Sequence, residues 1–391
     1  MRVSVVVPAF NHARYIGEAL RSVFVQDVDG LEIIVADDGS TDDTAAIAER
    51  LLAQQSHPYR VIRQHNRGAH AALNAGISLA RGEYISLLNS DDRYLAGRLP
   101  LLLEQAQRHK RRFLITRIRH IDSTGNPLPQ GAPHVYYYER SLKTRTLFPT
   151  PGFEFLRHNY TRTTGNFFLH RSLVDEVGPF GDFKLCHDWD WVLRALLIEE
   201  ITLVETALYE YRVHPDNTLR PSLNELHYAE IDEVLSAYLR QAESAANPLA
   251  PCFKNWGGYW DYFARAELTH LTHLPKIARH LGEIAHASSA REACSLGQAN
   301  EALLSAALVK NTQRVHSLEA EATATAERLK RYSHELELRL NADVTRLSGE
   351  EIAGLIGLRR LVQALAFRLA SKPGFTWLRA FRGVGKRVLG G

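Results

Sequence analysis

Cysteine is scarce in this 391-residue chain, and long apolar runs and a dominant charge sign are missing. Its three cysteines, Cys186, Cys252 and Cys294, are odd in number and far apart. That spacing excludes a disulfide framework and a cysteine-built zinc site, and it fits a reducing compartment. No run of 18 apolar residues occurs, so no transmembrane helix is expected. The apolar opening, Met1 to Val7, ends at Pro8 and is too short for a signal peptide. The expected location is therefore cytoplasmic, or peripheral on the inner face of a membrane. A formal net charge of +3 gives no general attraction to nucleic acid. No G-x-G-x-x-G follows the first strand and no P-loop lysine motif appears, which argues against a dinucleotide-dependent enzyme or a nucleotidyltransferase.

What is present is a core-forming composition, 45% apolar and 23% charged, in a chain long enough for two or three units. Its first 120 residues alternate strand and helix patterns. Arg2–Val7, Leu31–Ala36, Tyr59–Gln64 and Tyr84–Leu88 read as strands. Between them, Ile16, Ala19, Leu20 and Val23, then Ile47, Ala48, Leu51 and Leu52, then Ala72, Leu73, Gly76 and Ile77 keep helical spacing. This order predicts an α/β fold with parallel pairing, and ligands in such sheets bind beyond the carboxyl ends of the strands. Polar clusters stand at those ends: Pro8–Asn11, Asp37–Ser40, His65–Gly68 and Asn89–Asp92. Between 113 and 220 the strands shorten and the loops lengthen, with strands expected at Phe113–Ile121, Asn166–His170 and Leu208–Val213 and a helix at Asp190–Ile198. Strand signals fade after Pro221, where Leu223–Leu239 reads as helix.

Each cluster has a chemical and a plain reading. Asn89-Ser90-Asp91-Asp92 offers hard oxygen ligands suited to Mg2+ or Mn2+, or simply a turn with a helix cap. Asp37-Asp38 ends a buried strand and can accept hydrogen bonds from a base or a ribose. Asp188, between His187 and Trp189, can gain a raised pKa from its indole neighbours and act as a general base, or merely cap a helix. His214 ends the last strand pattern and can bind a metal or a diphosphate, or serve as a packing residue.

Together these blocks resemble the family 2 glycosyltransferases of the GT-A fold. The resemblance is carried by Val5-Val6-Val7-Pro8-Ala9-Phe10-Asn11, Val35-Ala36-Asp37-Asp38-Gly39-Ser40-Thr41-Asp42, Asn66-Arg67-Gly68, Asn74-Ala75-Gly76 and Gly82-Glu83-Tyr84-Ile85. It continues through Leu87-Leu88-Asn89-Ser90-Asp91-Asp92, His187-Asp188-Trp189-Asp190-Trp191 and Tyr211-Arg212-Val213-His214-Pro215, in order, over residues 1–220. It implies a Rossmann-like mixed sheet, with a nucleotide-binding half at 1–112 and an acceptor half at 113–220. It also implies inverting transfer of a sugar from a nucleotide diphosphate, uracil-linked by family habit, to a hydroxyl of a glycan or lipid-linked acceptor in cell-surface polysaccharide or glycoconjugate synthesis. Pro8, Phe10, Asn11, Asp37, Asp38, Arg67, Asn89 and Asp91 would hold the nucleotide sugar. Asp91, Asp92 and His214 would hold a divalent metal, Mn2+ or Mg2+, and Asp188 would be the base. Two positions depart from the family pattern: Asn89 stands where many members have an acid, and His187 where a glutamate is frequent. The first departure keeps a second class of function in view, a non-catalytic sugar-nucleotide binder or scaffold working through its helical tail.

That tail has its own pattern. Residues 221–300 read as helical. From Leu308 to Leu336 a three-and-four spacing runs through Val315, Leu318, Ala322 and Leu329, so 301–347 is a long helix or a short coiled coil, and a homo-oligomer is one outcome. Residues 351–391 hold eight Lys or Arg against Glu351 alone, beside an apolar face of Leu355, Leu358, Val362, Leu365 and Leu369. Such basic amphipathic helices suit an anionic membrane surface, or an ordinary packed helix with solvated arginines. No nucleic-acid motif accompanies the charge.

Overall fold

The computed structural model of the protein describes residues 2–252, apart from 146–149, 216, 218–223 and 243. The expectations for 253–391, including the heptad seam and the basic tail, lie outside the described residues. The elements run β1 (Val3–Ala9), α1 (Ile16–Phe24), β2 (Leu31–Asp37), α2 (Thr44–Leu52), β3 (Tyr59–Arg63), α3 (Ala69–Leu79) and β4 (Tyr84–Leu87). They continue β5 (Arg93–Tyr94), α4 (Arg98–His109), β6 (Phe113–Ile121), α5 (Pro133–Arg145), β7 (Phe168–His170), α6 (Arg171–Val177), α7 (His187–Leu196), β8 (Thr202–Arg212) and α8 (Asn224–Ala242).

One sheet of order β3-β2-β1-β4-β7-β6-β8-β5 joins the described strands. β1 pairs in parallel with both β2 and β4, and β2 with β3. The chain therefore turns outward in opposite directions on the two sides of β1, which opens a crevice at the carboxyl ends of β1 and β4. β7 is antiparallel to β4 and to β6, and β8 is parallel to β6. The GT-A mixed sheet is thus one continuous layer through both halves.

Burial follows position in the sheet. Every residue of β2 is buried, whereas the edge strand β3 is half-buried at its three central residues and exposed at both ends. Val3, Val5, Val6 and Val7 of β1 are fully buried, each contributing about 1.5–3 kcal/mol over an exposed side chain. α3 lies directly on β1 because Gly76 has no side chain: a Cβ there would run into Val6 Cγ1. Helix α4, absent from the sequence expectations, buries Leu99, Leu102, Leu103 and Ala106. Pro100 falls in its first turn, where a missing N–H costs nothing. α7 begins at His187, three residues before the expected start. α8 docks on α7 through Ile231, Val234, Leu235 and Tyr238, all buried. None of the described helices is long and apolar enough to cross a membrane.

Candidate active site

The chain leaves β1, β4 and β8 at neighbouring points, and three side chains from those exits converge. The ligating atoms of His12, Asp91 and His214 lie within 4.8 Å of one another. Asp91 Oδ2 is 3.0 Å from His214 Nε2 and 3.9 Å from His12 Nε2. His12 is oriented by Ser90, whose Oγ is 2.7 Å from Nδ1, and by its backbone N–H, which donates to Thr44 Oγ1 at 2.8 Å. Tyr15 packs its ring 4.9 Å from that of His214. Burial opposes the charge on Asp91, but the His214 hydrogen bond and the two imidazoles outweigh it and hold the carboxyl below its ordinary value. Two imidazoles and one carboxylate oxygen form a donor set that fits a divalent cation, and the nitrogens favour Mn2+ over the harder Mg2+.

Asp92, which the resemblance also assigns to the metal, lies outside this three-residue group. Its Oδ2 accepts the Tyr209 hydroxyl at 2.7 Å and its Oδ1 the Arg212 backbone N–H at 2.7 Å. Burial, then the adjacent Asp91, push its carboxyl well above the usual range. These bonds tie β8 to the end of β4. Arg212, fully buried, reinforces that joint: its Nε donates to the Asp91 carbonyl at 2.7 Å and its Nη2 to Glu18 at 2.7 Å. Arg98, also fully buried, lies beneath, its guanidinium over the rings of Tyr94 and Tyr209 and bonded to Asn166 Oδ1 at 3.0 Å.

The nucleotide-binding candidates surround the crevice, several of them shaping backbone. Both oxygens of Asp38 are engaged: Oδ1 accepts from Gln64 Nε2 at 2.6 Å and the Arg67 N–H at 3.0 Å, Oδ2 from the Gly68 N–H at 2.8 Å. Asp38 thereby fixes the loop that presents Arg67, whose side chain is exposed. Asp37 accepts the Ser40 N–H at 3.1 Å through Oδ2, while its buried Oδ1 has no partner. Asn11 adopts φ 53°, a left-handed conformation that asparagine tolerates, and accepts the Thr41 N–H at 2.8 Å. Pro8 is half-buried in β1 and Phe10 stands 41% exposed beside the crevice. Asn89 points the other way: Nδ2 donates to Thr163 Oγ1 at 2.6 Å, and Oδ1 accepts from Thr164 Oγ1 at 3.2 Å.

Asp188 is the second residue of α7, after the cap position Cys186. Its Oδ1 accepts the Trp189 N–H at 2.7 Å and its Oδ2 the Asn159 amide at 2.8 Å. Burial raises its pKa to about 6 despite these bonds. The start of α7 is held by Glu230 of α8, whose carboxylate accepts the N–H groups of Lys184, Leu185 and Cys186 at 2.9, 2.8 and 2.9 Å. Asp190, on the same turn, is engaged by Arg194 at 2.7 Å. His12, Tyr209, Asn159 and Glu230 went unread in the sequence. Each acts through a partner 29 or more positions away, and no local pattern marks such a pairing.

A parallel nucleotide-binding half continued through an antiparallel strand into a second half, with acids and a histidine at the strand exits, defines the GT-A class of fold. Residues 4–178 match the model for glycosyl transferase family 2, and the chain carries a domain of that family. It is 36% identical over 219 residues to an uncharacterised glycosyltransferase of Nostoc sp., covering 56% of this chain and 66% of that one. It is 29% identical over 239 residues to chondroitin synthase of Escherichia coli, covering 60% of this chain but 32% of the synthase. The mannosyltransferase PcManGT of Pyrobaculum calidifontis, in complex with GDP-Man and Mn2+, aligns at a TM-score of 0.49 with 20% identity, covering 79% of this chain and 86% of that one.

Proposed function

We propose that the protein is an inverting glycosyltransferase that moves a sugar from a nucleotide diphosphate, most simply UDP, to a hydroxyl of a glycan or lipid-linked acceptor in polysaccharide or glycoconjugate synthesis. The observation that carries the reading is Asp188: a half-buried carboxylate with a pKa near 6, held at a helix N-terminus in the same domain as the His12–Asp91–His214 cluster. Asp188 takes the acceptor proton as the hydroxyl oxygen bonds to the anomeric carbon, and the bond from that carbon to the nucleotide diphosphate breaks on the opposite face. A single carboxylate in that role gives inversion.

His12, Asp91 and His214 would hold a divalent cation, Mn2+ by the nature of its donors, which neutralises charge on the departing diphosphate. Asp37, with an unfilled buried oxygen, and the Asp38-held loop at Arg67 would grip the nucleoside. Polysaccharide synthesis agrees with the similarity to the chondroitin synthase of Escherichia coli.

The test is a panel of nucleotide sugars with and without Mn2+, scored for nucleotide release and transfer, alongside Asp188→Asn. The variant should bind donor as the parent does and lose transfer by several orders of magnitude. Parental turnover in the variant removes Asp188 from the mechanism. Donor binding with no hydrolysis or transfer by the parent favours a sugar-nucleotide-binding scaffold.

A further inference from the structure

The loop from Asn159 to Gly165 is pinned at both ends. Asn159 bonds to Asp188, and Thr163 and Thr164 bond to Asn89 at the end of β4. Thr161 and Thr163 are buried, 0% and 5% exposed, and Thr161 Oγ1 donates to Asn159 Oδ1 at 2.6 Å. Between them Arg162 is held at φ 68°, a left-handed conformation that an arginine pays to adopt. Its guanidinium is half-buried, and among the described residues no carboxylate comes within ion-pair distance of it. The groups within its electrostatic reach are His120, His134, Tyr138, Tyr211 and Asp188. His120 anchors that ring cluster, its centroid 5.4 Å from Tyr138 and 5.7 Å from Tyr211, and its buried Nε2 has no partner.

All five of these residues come from the half beyond residue 112, and none from the nucleotide-binding half. A largely desolvated guanidinium with no carboxylate partner among the described residues, presented by a strained backbone, is a ready fork for an oxyanion. We infer that Arg162 receives a negatively charged group, a phosphate or a carboxylate, borne by the acceptor, an inference that rests on the sugar-transfer reading for the word acceptor. The strain then has a purpose: it holds the cation within electrostatic reach of Asp188, on the side of the acceptor.

The test uses the full chain with UDP and Mn2+ at saturation, so that the donor site is filled. Glycerol 3-phosphate and methyl glucuronide are titrated by NMR, with methyl glucoside as the neutral control. The parent should bind one or both anions in preference to the glucoside. Arg162→Asn, which suits left-handed backbone, should weaken that binding about tenfold or more, Arg162→Lys should weaken it less, and UDP affinity should stay within about twofold. The inference is overturned if the parent prefers neither anion, if Arg162→Asn binds them as the parent does, or if UDP affinity falls in step, which would assign Arg162 to the donor diphosphate. If the parent fails to bind UDP, the sugar-transfer reading fails, and the anion titrations without UDP still decide whether Arg162 is an oxyanion site.

Discussion

Asn159→Ala would remove one of the two N–H donors that face Asp188, the proposed base, and leave its carboxylate in place. The Asn159 amide donates to Asp188 Oδ2 at 2.8 Å, while the Trp189 N–H keeps Oδ1. A hydrogen bond to a charged group contributes about 1.5–3 kcal/mol. The lower end applies here, because Asp188 is half-buried and water can replace part of the lost donor. At about 1.4 kcal/mol per pH unit, the pKa of Asp188 should climb by about one unit from its value near 6. The acid limb of kcat/KM should therefore lie near pH 6 in the parent and about one unit higher in the variant, with the plateau at high pH retained if the acceptor still seats correctly.

The same shift has a stability counterpart of known sign. Asp188 is raised by burial from 3.8 to about 6 in the folded protein, so the folded state holds its proton more tightly than the unfolded state. Its contribution is fully present below pH 3.8 and is lost as pH rises through 6, about 3 kcal/mol in all as an order of magnitude. Asn159→Ala should carry that loss to higher pH, read from urea midpoints at pH 4 and pH 8. An acid limb that does not move while turnover drops, or one that moves to lower pH, would show that Asp188 is not the titrating base.

Gly165→Ala would drive a methyl into the Tyr209 hydroxyl and to 2.7 Å from the Asn89 backbone nitrogen. It should lower stability by about 1–3 kcal/mol, seen as a fall in melting temperature, and cut turnover by displacing Tyr209 from Asp92. His214→Ala should weaken Mn2+ binding at least as much as loss of an outer-shell partner does, about tenfold or more. Electron paramagnetic titration of Mn2+ checks this, and unchanged affinity would place the ion elsewhere. Glu230→Ala leaves three N–H groups at the start of α7 without their acceptor and should cost about 1–2 kcal/mol in chemical denaturation, with the loss of activity exceeding the loss of folded protein.

Much of the nucleotide-binding half was legible because its signals are local. β1, β2 and β4 are buried strands rich in β-branched and aliphatic residues, and the intervening helices keep a clean apolar face. Gly76 could be read from its motif, and the structure supplies the reason in the contact with Val6. The second half was harder to read. β7 is three residues long, and the 3-10 turn Thr164–Asn166 occupies what had looked like the start of its strand. Helix α5 carries Tyr136, Tyr137 and Tyr138 in a row, aromatic residues that locally favour strand. Tertiary contacts overrule that preference, since the buried Tyr138 hydroxyl accepts the Ile118 N–H of β6 at 3.0 Å.

Asp91 and Asp92 show most plainly where local reading ends. They are the same residue type, adjacent, at the end of one strand, and nothing in their order separates the one that meets two imidazoles from the one that holds β8. What separates them is which neighbours arrive from elsewhere in the chain. His12 and His214 meet Asp91 and favour its charged form; Tyr209 and the Arg212 backbone meet Asp92, and burial favours its neutral form. The division also explains why Asn89 can replace an acid without dismantling the site. Its amide donates to Thr163 and accepts from Thr164, and the loop so fixed continues to Asn159 and Asp188. Asn89 thereby ties the end of β4 to the loop whose other end reaches Asp188 through Asn159.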